Sequence, residues 1–181
     1  MPESIYRRAF DAGVDFRTFL EQAEEHRVLW HSVTERLHLE PEHVERARAC
    51  TAPLRLVALA DDWCGDAINT LPVVAAVSEA APGAQLRIVP RDEWPELMDL
   101  HLTNGARSIP MVAVTDPTGR CVGAWGPRPT ELQEWFEQTG RDLEFDERYR
   151  ELRRWYARDR GATTALEMIE LLEQAGGTGR S

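Results

Sequence analysis

The sequence contains no lysine, and all 21 of its basic residues are arginine. Acidic residues number 31, so the formal net charge is -10. This charge argues against a nucleic-acid-binding protein, because such proteins neutralise phosphates with basic side chains. Three irregularly spaced cysteines do not make a disulfide framework. The longest apolar runs are far shorter than the about 20 residues that span a bilayer. The chain begins without a signal-peptide core, and we expect a cytoplasmic protein without membrane contact.

Hydrophobic spacing divides the chain into an α/β centre and helical extensions at both ends. Apolar side chains in residues 1–50 recur at helical spacing, Asp15 is a suitable N-cap, and Pro41 suits the first turn of a further short helix. Residues 51–140 predict a buried strand, a helix, a second strand, a second helix and a β-hairpin leading into a third helix. These predicted elements cover 54–60, 67–80, 86–89, 94–102, 111–115 with 121–125, and 130–138.

The rest of the chain predicts two charged helices and a short tail. Residues 141–175 carry arginines interleaved with acidic residues, a pattern that favours helices with a solvated, salt-bridged face. Residues 176–181 are mostly glycine and small polar residues and predict a disordered tail. We expect one compact domain, in which the helical extensions 1–50 and 141–175 pack on the core 51–140.

The clearest chemistry lies where the first buried strand meets the following helix. Cys64 stands at the expected N-terminus of that helix, where unpaired N–H groups and the helix dipole stabilise a thiolate, the reactive form of cysteine. Asp66 acts in the opposite direction, because one negative charge disfavours a second nearby. As a nearby carboxylate, Asp66 is also a candidate proton acceptor for Cys64, or a cap of the same helix. Asp61 and Asp62 are expected to face solvent or to cap the helix.

Four features of this region resemble the thioredoxin superfamily. Trp63-Cys64-Gly65 resembles the start of the family's Trp-Cys-Gly-x-Cys redox motif, and Pro72 matches the proline of the active-site helix. The segment ending in Ile109-Pro110 is similar to the family's cis-proline turn, and Gly126 matches a glycine beside the site. The resemblance implies an α/β, thioredoxin-like fold with a central mixed β-sheet flanked by helices, together with N- and C-terminal helical extensions.

The same resemblance implies a substrate site around the nucleophile Cys64. Trp63 would lie partly exposed beside the thiol and cover a docked substrate, and Trp125 would do the same across the site. A bound peptide would pair with the backbone of Ile109 as an added strand. The implied substrate-binding residues are Trp63, Gly65, Ile109, Pro110, Trp125 and Gly126.

Two departures from the family pattern change the expected chemistry. Ala67 occupies the position of the resolving cysteine, so Cys64 can form a mixed disulfide but lacks the usual thiol that releases it. Ala58 occupies the position of the buried carboxylate that assists that second thiol. Cys50 and Cys121 are expected to lie too far from Cys64 to replace the missing thiol. With its helical additions, this Trp-Cys-Gly-Asp-Ala site looks most like a bacterial branch of thioredoxin-like proteins.

Two hypotheses follow for the function. In the first, Cys64 is a monothiol redox centre: it attacks a protein disulfide or a low-molecular-weight thiol adduct, and an external thiol resolves the mixed disulfide. In the second, the chain is a redox-inactive binding or adaptor module that uses the groove at Ile109. No metal or cofactor is expected, because phosphate-binding and dinucleotide motifs are absent, as is the Cys-Gly-Phe-Ser motif of cluster-binding monothiol relatives.

Overall fold

A mixed, four-stranded β-sheet forms the centre of the computed structural model, which describes residues 4–177. Its strands are β1 (Leu54–Leu59), β2 (Ala84–Val89), β3 (Met111–Thr115) and β4 (Cys121–Trp125). They lie in the order β2-β1-β3-β4, with β2 parallel to β1 and with β3 antiparallel to both β1 and β4. This sheet and the helices around it confirm the predicted α/β, thioredoxin-like fold.

Helices pack around the sheet throughout the described residues. They are α1 (Ile5–Ala12), α2 (Phe16–Gln22), α3 (Arg27–Arg36), α4 (Pro41–Ala49), α5 (Gly65–Ala80), α6 (Pro95–Met98), α7 (Thr130–Gln138), α8 (Phe145–Asp159) and α9 (Ala162–Gly177). α1 contacts β1 and β2, whereas α5 contacts α3, α4 and α9. Asp15 caps α2 as expected, since its carboxylate accepts a hydrogen bond from the Thr18 N–H at 2.8 Å. None of the helices within residues 4–177 is both long and apolar enough to cross a bilayer.

The central strands are apolar because they are covered on both sides. Every residue of β3 is buried, and in β1 only Arg55 is not. Such continuous apolar runs are typical of strands that lie between two layers of helices. The pairing of Leu59 with Met111 brings the end of β1 beside the start of β3. The site described below lies at this end of the two central strands.

One hydrophobic core extends well beyond residues 51–140. Ala9, Trp30 and Ala47 from the N-terminal helices are fully buried in the same cluster as the strands and α5. Met168 and Ile169 of α9 belong to it as well. The helices at both ends of the chain therefore contribute side chains to the core that supports the central sheet.

Apart from shifts of one or two residues at element ends, the structure differs from the predicted elements at two places. The helix expected over 94–102 is the single turn α6 followed by a 3-10 turn at Asp99–His101, a common way for a short helix to end. At the predicted tail 176–181, Gly176 and Gly177 are not disordered but continue α9. Residues 178–181 of that predicted tail lie outside the described residues.

Candidate active site

Cys64 is the N-cap residue of α5, directly after the loop that leaves β1. Its carbonyl accepts the first helical hydrogen bond, from the Ile68 N–H at 3.0 Å. The side chain is 8% exposed. The thiol donates a hydrogen bond to the carbonyl oxygen of Ile109 at 3.4 Å. Cys64 is thus a buried thiol held against the segment that leads into β3.

Ile109 and Pro110 form the turn whose Ile109 carbonyl meets the Cys64 thiol, and Gly126 packs against this turn. The Ile109–Pro110 peptide is cis and immediately precedes β3. Gly126 follows β4 with a φ of +124°, a conformation that side-chain-bearing residues rarely adopt. A Cβ at Gly126 would lie 2.2 Å from the Pro110 carbonyl oxygen, so only glycine fits beside this turn. The Gly126–Pro127 peptide is also cis, a feature that the sequence analysis did not predict.

The two tryptophans expected at the site have different environments. Trp63 is 48% exposed, next to Cys64 in the chain, and the Arg91 guanidinium lies 5.2 Å from the centre of its ring. Trp125 is buried, and its indole N–H donates to Glu167 Oε2 in α9 at 2.7 Å. The Trp125 indole N–H is thus directed toward α9, and of the two tryptophans Trp63 has the exposed ring. A substrate contact at Trp125 stays a prediction.

Asp66 lies in the first turn of α5 and is bound by residues from two other elements. Its Oδ2 forms an ion pair with Arg128 Nη2 at 2.8 Å, and its Oδ1 accepts a hydrogen bond from the Tyr156 hydroxyl at 2.8 Å. The side chains of Asp66 and Arg128 are 12% and 13% exposed. Both oxygens are thus engaged by distant side chains, which differs from the expected role as a helix cap.

Burial dominates the ionisation of Cys64. Burial, and after it the Asp66 carboxylate, together raise the pKa of the thiol to about 11. The N–H groups of Ala67 and Asp66, and more weakly the Arg128 guanidinium, act in the opposite direction. The helix terminus does favour the thiolate, as the sequence analysis expected, but desolvation and Asp66 outweigh it. Cys64 is consequently a protonated thiol at neutral pH.

Comparison with protein families identifies the fold family directly. A family model described as Thioredoxin matches residues 13–166. The chain belongs to the thioredoxin family. The match includes most of the helices outside 51–140, so the family relationship extends beyond the central segment on which the sequence resemblance rests. A comparison with curated proteins finds no match.

Two solved structures share this arrangement of the thioredoxin family over nearly the whole chain. A crystal structure of a protein of unknown function from Pseudomonas aeruginosa is 20% identical, has a TM-score of 0.76, and covers 97% of this chain and 99% of its own. An HIV epitope scaffold is 19% identical, has a TM-score of 0.70, and covers 93% of this chain and 97% of its own. At this level of identity the likeness concerns the fold.

The aspartates before Cys64 join the site loop of this thioredoxin-family chain to its N-terminal helices. Asp62 Oδ2 accepts hydrogen bonds from the N–H groups of Glu24 and Glu25 at 2.7 and 3.0 Å. The Asp62 carbonyl accepts the indole N–H of Trp30 at 2.8 Å. Asp61 is half-buried, and burial raises the pKa of its carboxyl group. The expectation that these aspartates face solvent or cap α5 is therefore wrong: Asp62 fastens the turn between α2 and α3.

The other two cysteines lie away from Cys64, and all three are free. Cys50 ends α4. Cys121 begins β4, where a bulge opposite Val114 and Thr115 interrupts the pairing with β3. Within residues 4–177 no group of three or more histidine, cysteine or acidic side chains is arranged to hold a metal ion.

Three residues at or near the site were missed by the sequence analysis, because none of them belongs to a recognisable motif. Arg128 lies two residues after Gly126, so its nearness to Cys64 follows only once β4 is known to end there. Tyr156 is 90 residues from Asp66, in a helix whose composition indicates a solvated surface. Glu167 accepts both the Trp125 indole and the Thr130 N–H from within α9. Contacts of this kind depend on packing between helices that are distant in sequence.

Proposed function

We propose that the protein performs thiol–disulfide exchange at Cys64 by a monothiol mechanism. The observation that carries this proposal is the position of Cys64: an N-cap thiol hydrogen-bonded to Ile109 and adjacent to the exposed Trp63. Membership of the thioredoxin family supports thiol chemistry at this position. Ala67 carries no thiol, so an external thiol has to complete each cycle.

The exchange consists of two balanced displacements. In the first, the Cys64 thiolate attacks one sulfur of a disulfide, a mixed disulfide with Cys64 forms, and the other sulfur leaves as a thiolate. In the second, a low-molecular-weight thiolate attacks the substrate sulfur of the mixed disulfide and Cys64 leaves as a thiolate. The net reaction transfers the substrate sulfur to the external thiol, with no net oxidation of the protein.

Protein disulfides and thiol adducts of small thiols are the substrates we propose. An extended peptide would pair with the backbone at Ile109 and lie against the face of Trp63. Gly65 leaves space on the other side, because a Cβ at this position would meet only Tyr149 Cε1, at 3.8 Å. The C-terminal helix α8 therefore borders the proposed substrate site as well.

Turnover of a small-thiol adduct, with the external thiol supplied in excess, tests this mechanism. In a Cys50→Ser, Cys121→Ser background we expect Cys64→Ser to abolish turnover, because no other thiol remains. Ala67→Cys supplies a second thiol at the resolving position, so in a single cycle we expect it to displace the substrate sulfur as a thiolate without external thiol. Cys64 and the introduced cysteine then form a disulfide, which the external thiol has to reduce before the next cycle. Undiminished turnover in the Cys64→Ser variant would refute the mechanism.

A second candidate, a thioredoxin-fold binding module, is favoured by the buried state of the thiol. With a pKa of about 11, only about one thiol in ten thousand is ionised at pH 7. A binding module would need no thiolate and would hold its partner peptide at Ile109 and Trp63. For a defined disulfide-containing peptide, this candidate predicts equal binding by the parent and Cys64→Ser proteins and no exchange by either. The monothiol mechanism predicts exchange in the parent alone.

A further inference from the structure

A largely buried polar network centres on Asp66, two residues after Cys64, and links three separate elements. Asp66 comes from the first turn of α5, Arg128 from the segment after β4, and Tyr156 from α8. Each of the two contacts to the Asp66 carboxylate measures 2.8 Å. Because both oxygens are engaged, Asp66 is poorly placed to take the proton of Cys64, and the network calls for a different explanation.

We propose that Arg128 and Tyr156 are positioning residues, which hold the Asp66 carboxylate beside Cys64 and thereby set how readily Cys64 gives up its proton. This proposal deepens the proposed function and rests on it only in taking Cys64 as the reactive thiol. It assigns the C-terminal helix α8 a role in the site, through Tyr156.

The arrangement of charges around Cys64 gives each residue a definite direction of effect. Asp66 is two residues from Cys64 and disfavours a thiolate, whereas Arg128 neutralises Asp66 and favours the thiolate. Arg91, from the 3-10 turn after β2, is a further cation that interacts with Cys64. Tyr156 donates its hydroxyl hydrogen to Asp66 and disperses part of the carboxylate charge. Since Asp66 and Arg128 are nearly buried, water screens these effects weakly.

Arg128 is held in one orientation by contacts beyond Asp66. Its Nη1 donates to Gln133 Oε1 at 2.8 Å, and its guanidinium lies 3.9 Å from the centre of the Phe136 ring. Tyr156 packs with Leu132 in a small hydrophobic cluster between α7 and α8. The carboxylate is thus fixed by side chains that are themselves fixed, which is how a supporting shell preserves the geometry of a reactive group.

The rate of Cys64 alkylation by iodoacetamide as a function of pH tests the proposal, in a Cys50→Ser, Cys121→Ser parent. We expect Asp66→Asn to raise the rate at pH 8 about tenfold or more, because it removes the adjacent negative charge. Arg128→Gln is expected to lower the rate, because Asp66 is then left without its cation. Arg128→Lys retains the charge and should stay nearer the parent.

A matched control and a conservative variant separate electrostatics from folding. Arg46→Gln breaks a different ion pair of 2.8 Å, with Glu173, and should leave the pH profile of Cys64 unchanged. Tyr156→Phe keeps the packed ring but removes the hydroxyl, and should shift the profile in the direction of Arg128→Gln by a smaller amount. A purely structural role would change the free energy of unfolding without displacing the profile.

The proposal is overturned if Asp66→Asn and Arg128→Gln leave the pH profile in place or displace it in the same direction. Should Asp66→Asn fail to fold, Asp66→Ser also removes the charge and must accelerate alkylation. Alkylation needs no disulfide substrate, so it is measurable even in a protein that performs no exchange. Failure of the proposed function would therefore appear in turnover, and failure of this proposal in the alkylation profile.

Discussion

Replacing Gly126 by alanine should both destabilise the protein and disturb the turn at Pro110 beside the site. The φ of +124° is a conformation in which an L side chain costs on the order of 1–3 kcal/mol. In addition, the new Cβ would lie 2.2 Å from the Pro110 carbonyl oxygen and 3.2 Å from Met111 Cα, and backbone atoms cannot rotate away. Such overpacking costs about 1–3 kcal/mol more. We expect a total loss of about 2–6 kcal/mol in the free energy of unfolding.

Gly105→Ala is the matched control for this prediction. Gly105 also has a positive φ, of +79°, but a Cβ there would meet no atom within 4 Å. The control therefore contains the conformational cost without the collision. Denaturant unfolding of both variants, followed by tryptophan fluorescence, gives the two free energies, and Gly126→Ala should lose clearly more stability. Equal losses would refute the reasoning that contact with Pro110 requires glycine at 126.

Three further predictions concern the thiol and the tryptophans. Burial and the Asp66 carboxylate raise the folded-state pKa of Cys64 from its ordinary value of 9.0 to about 11. The protonated thiol therefore contributes fully to stability below pH 9, and this contribution is lost as the pH rises through about 11. In denaturant titrations across this range, the parent should lose up to about 3 kcal/mol more than Cys64→Ser. Trp30→Phe removes the hydrogen bond to Asp62 and part of a fully buried ring, and should lower the free energy of unfolding by about 2–3 kcal/mol in the same assay. A loss below about 1 kcal/mol would contradict this account. Trp63→Ala should slow exchange while changing the free energy of unfolding by about 1 kcal/mol or less, because its ring is half-exposed; unchanged exchange would exclude Trp63 from the substrate site.

Local pattern was sufficient to predict the sheet and the position of the thiol. β3 and β4 have the predicted bounds, since two short apolar runs flank a turn of Asp, Pro, Thr and Gly at 116–119. Cys64 could be placed at a helix N-terminus because a buried strand precedes it and an apolar helix follows. These features depend on residues within one or two turns of each other.

The side-chain environment of the thiol could not be predicted in the same way. Whether the helix terminus or Asp66 controls Cys64 depends on how deeply the thiol is buried, and that depth is set by the packing of the whole fold. Trp125 was expected to face the substrate, but its ring is buried and its indole N–H bonds Glu167 on α9, 42 residues away in the chain. The Tyr156 contact joins residues 90 positions apart, beyond the reach of any local pattern.

Mass spectrometry of a single exchange cycle tests the central claim most directly. The Cys50→Ser, Cys121→Ser protein is mixed with a small disulfide, and its mass is followed before and after an excess of a low-molecular-weight thiol is added. The monothiol mechanism predicts one adduct, located on Cys64, that forms faster as the pH rises and disappears when the thiol is added. Absence of an adduct at pH 10, or an adduct that the thiol does not release, would contradict it.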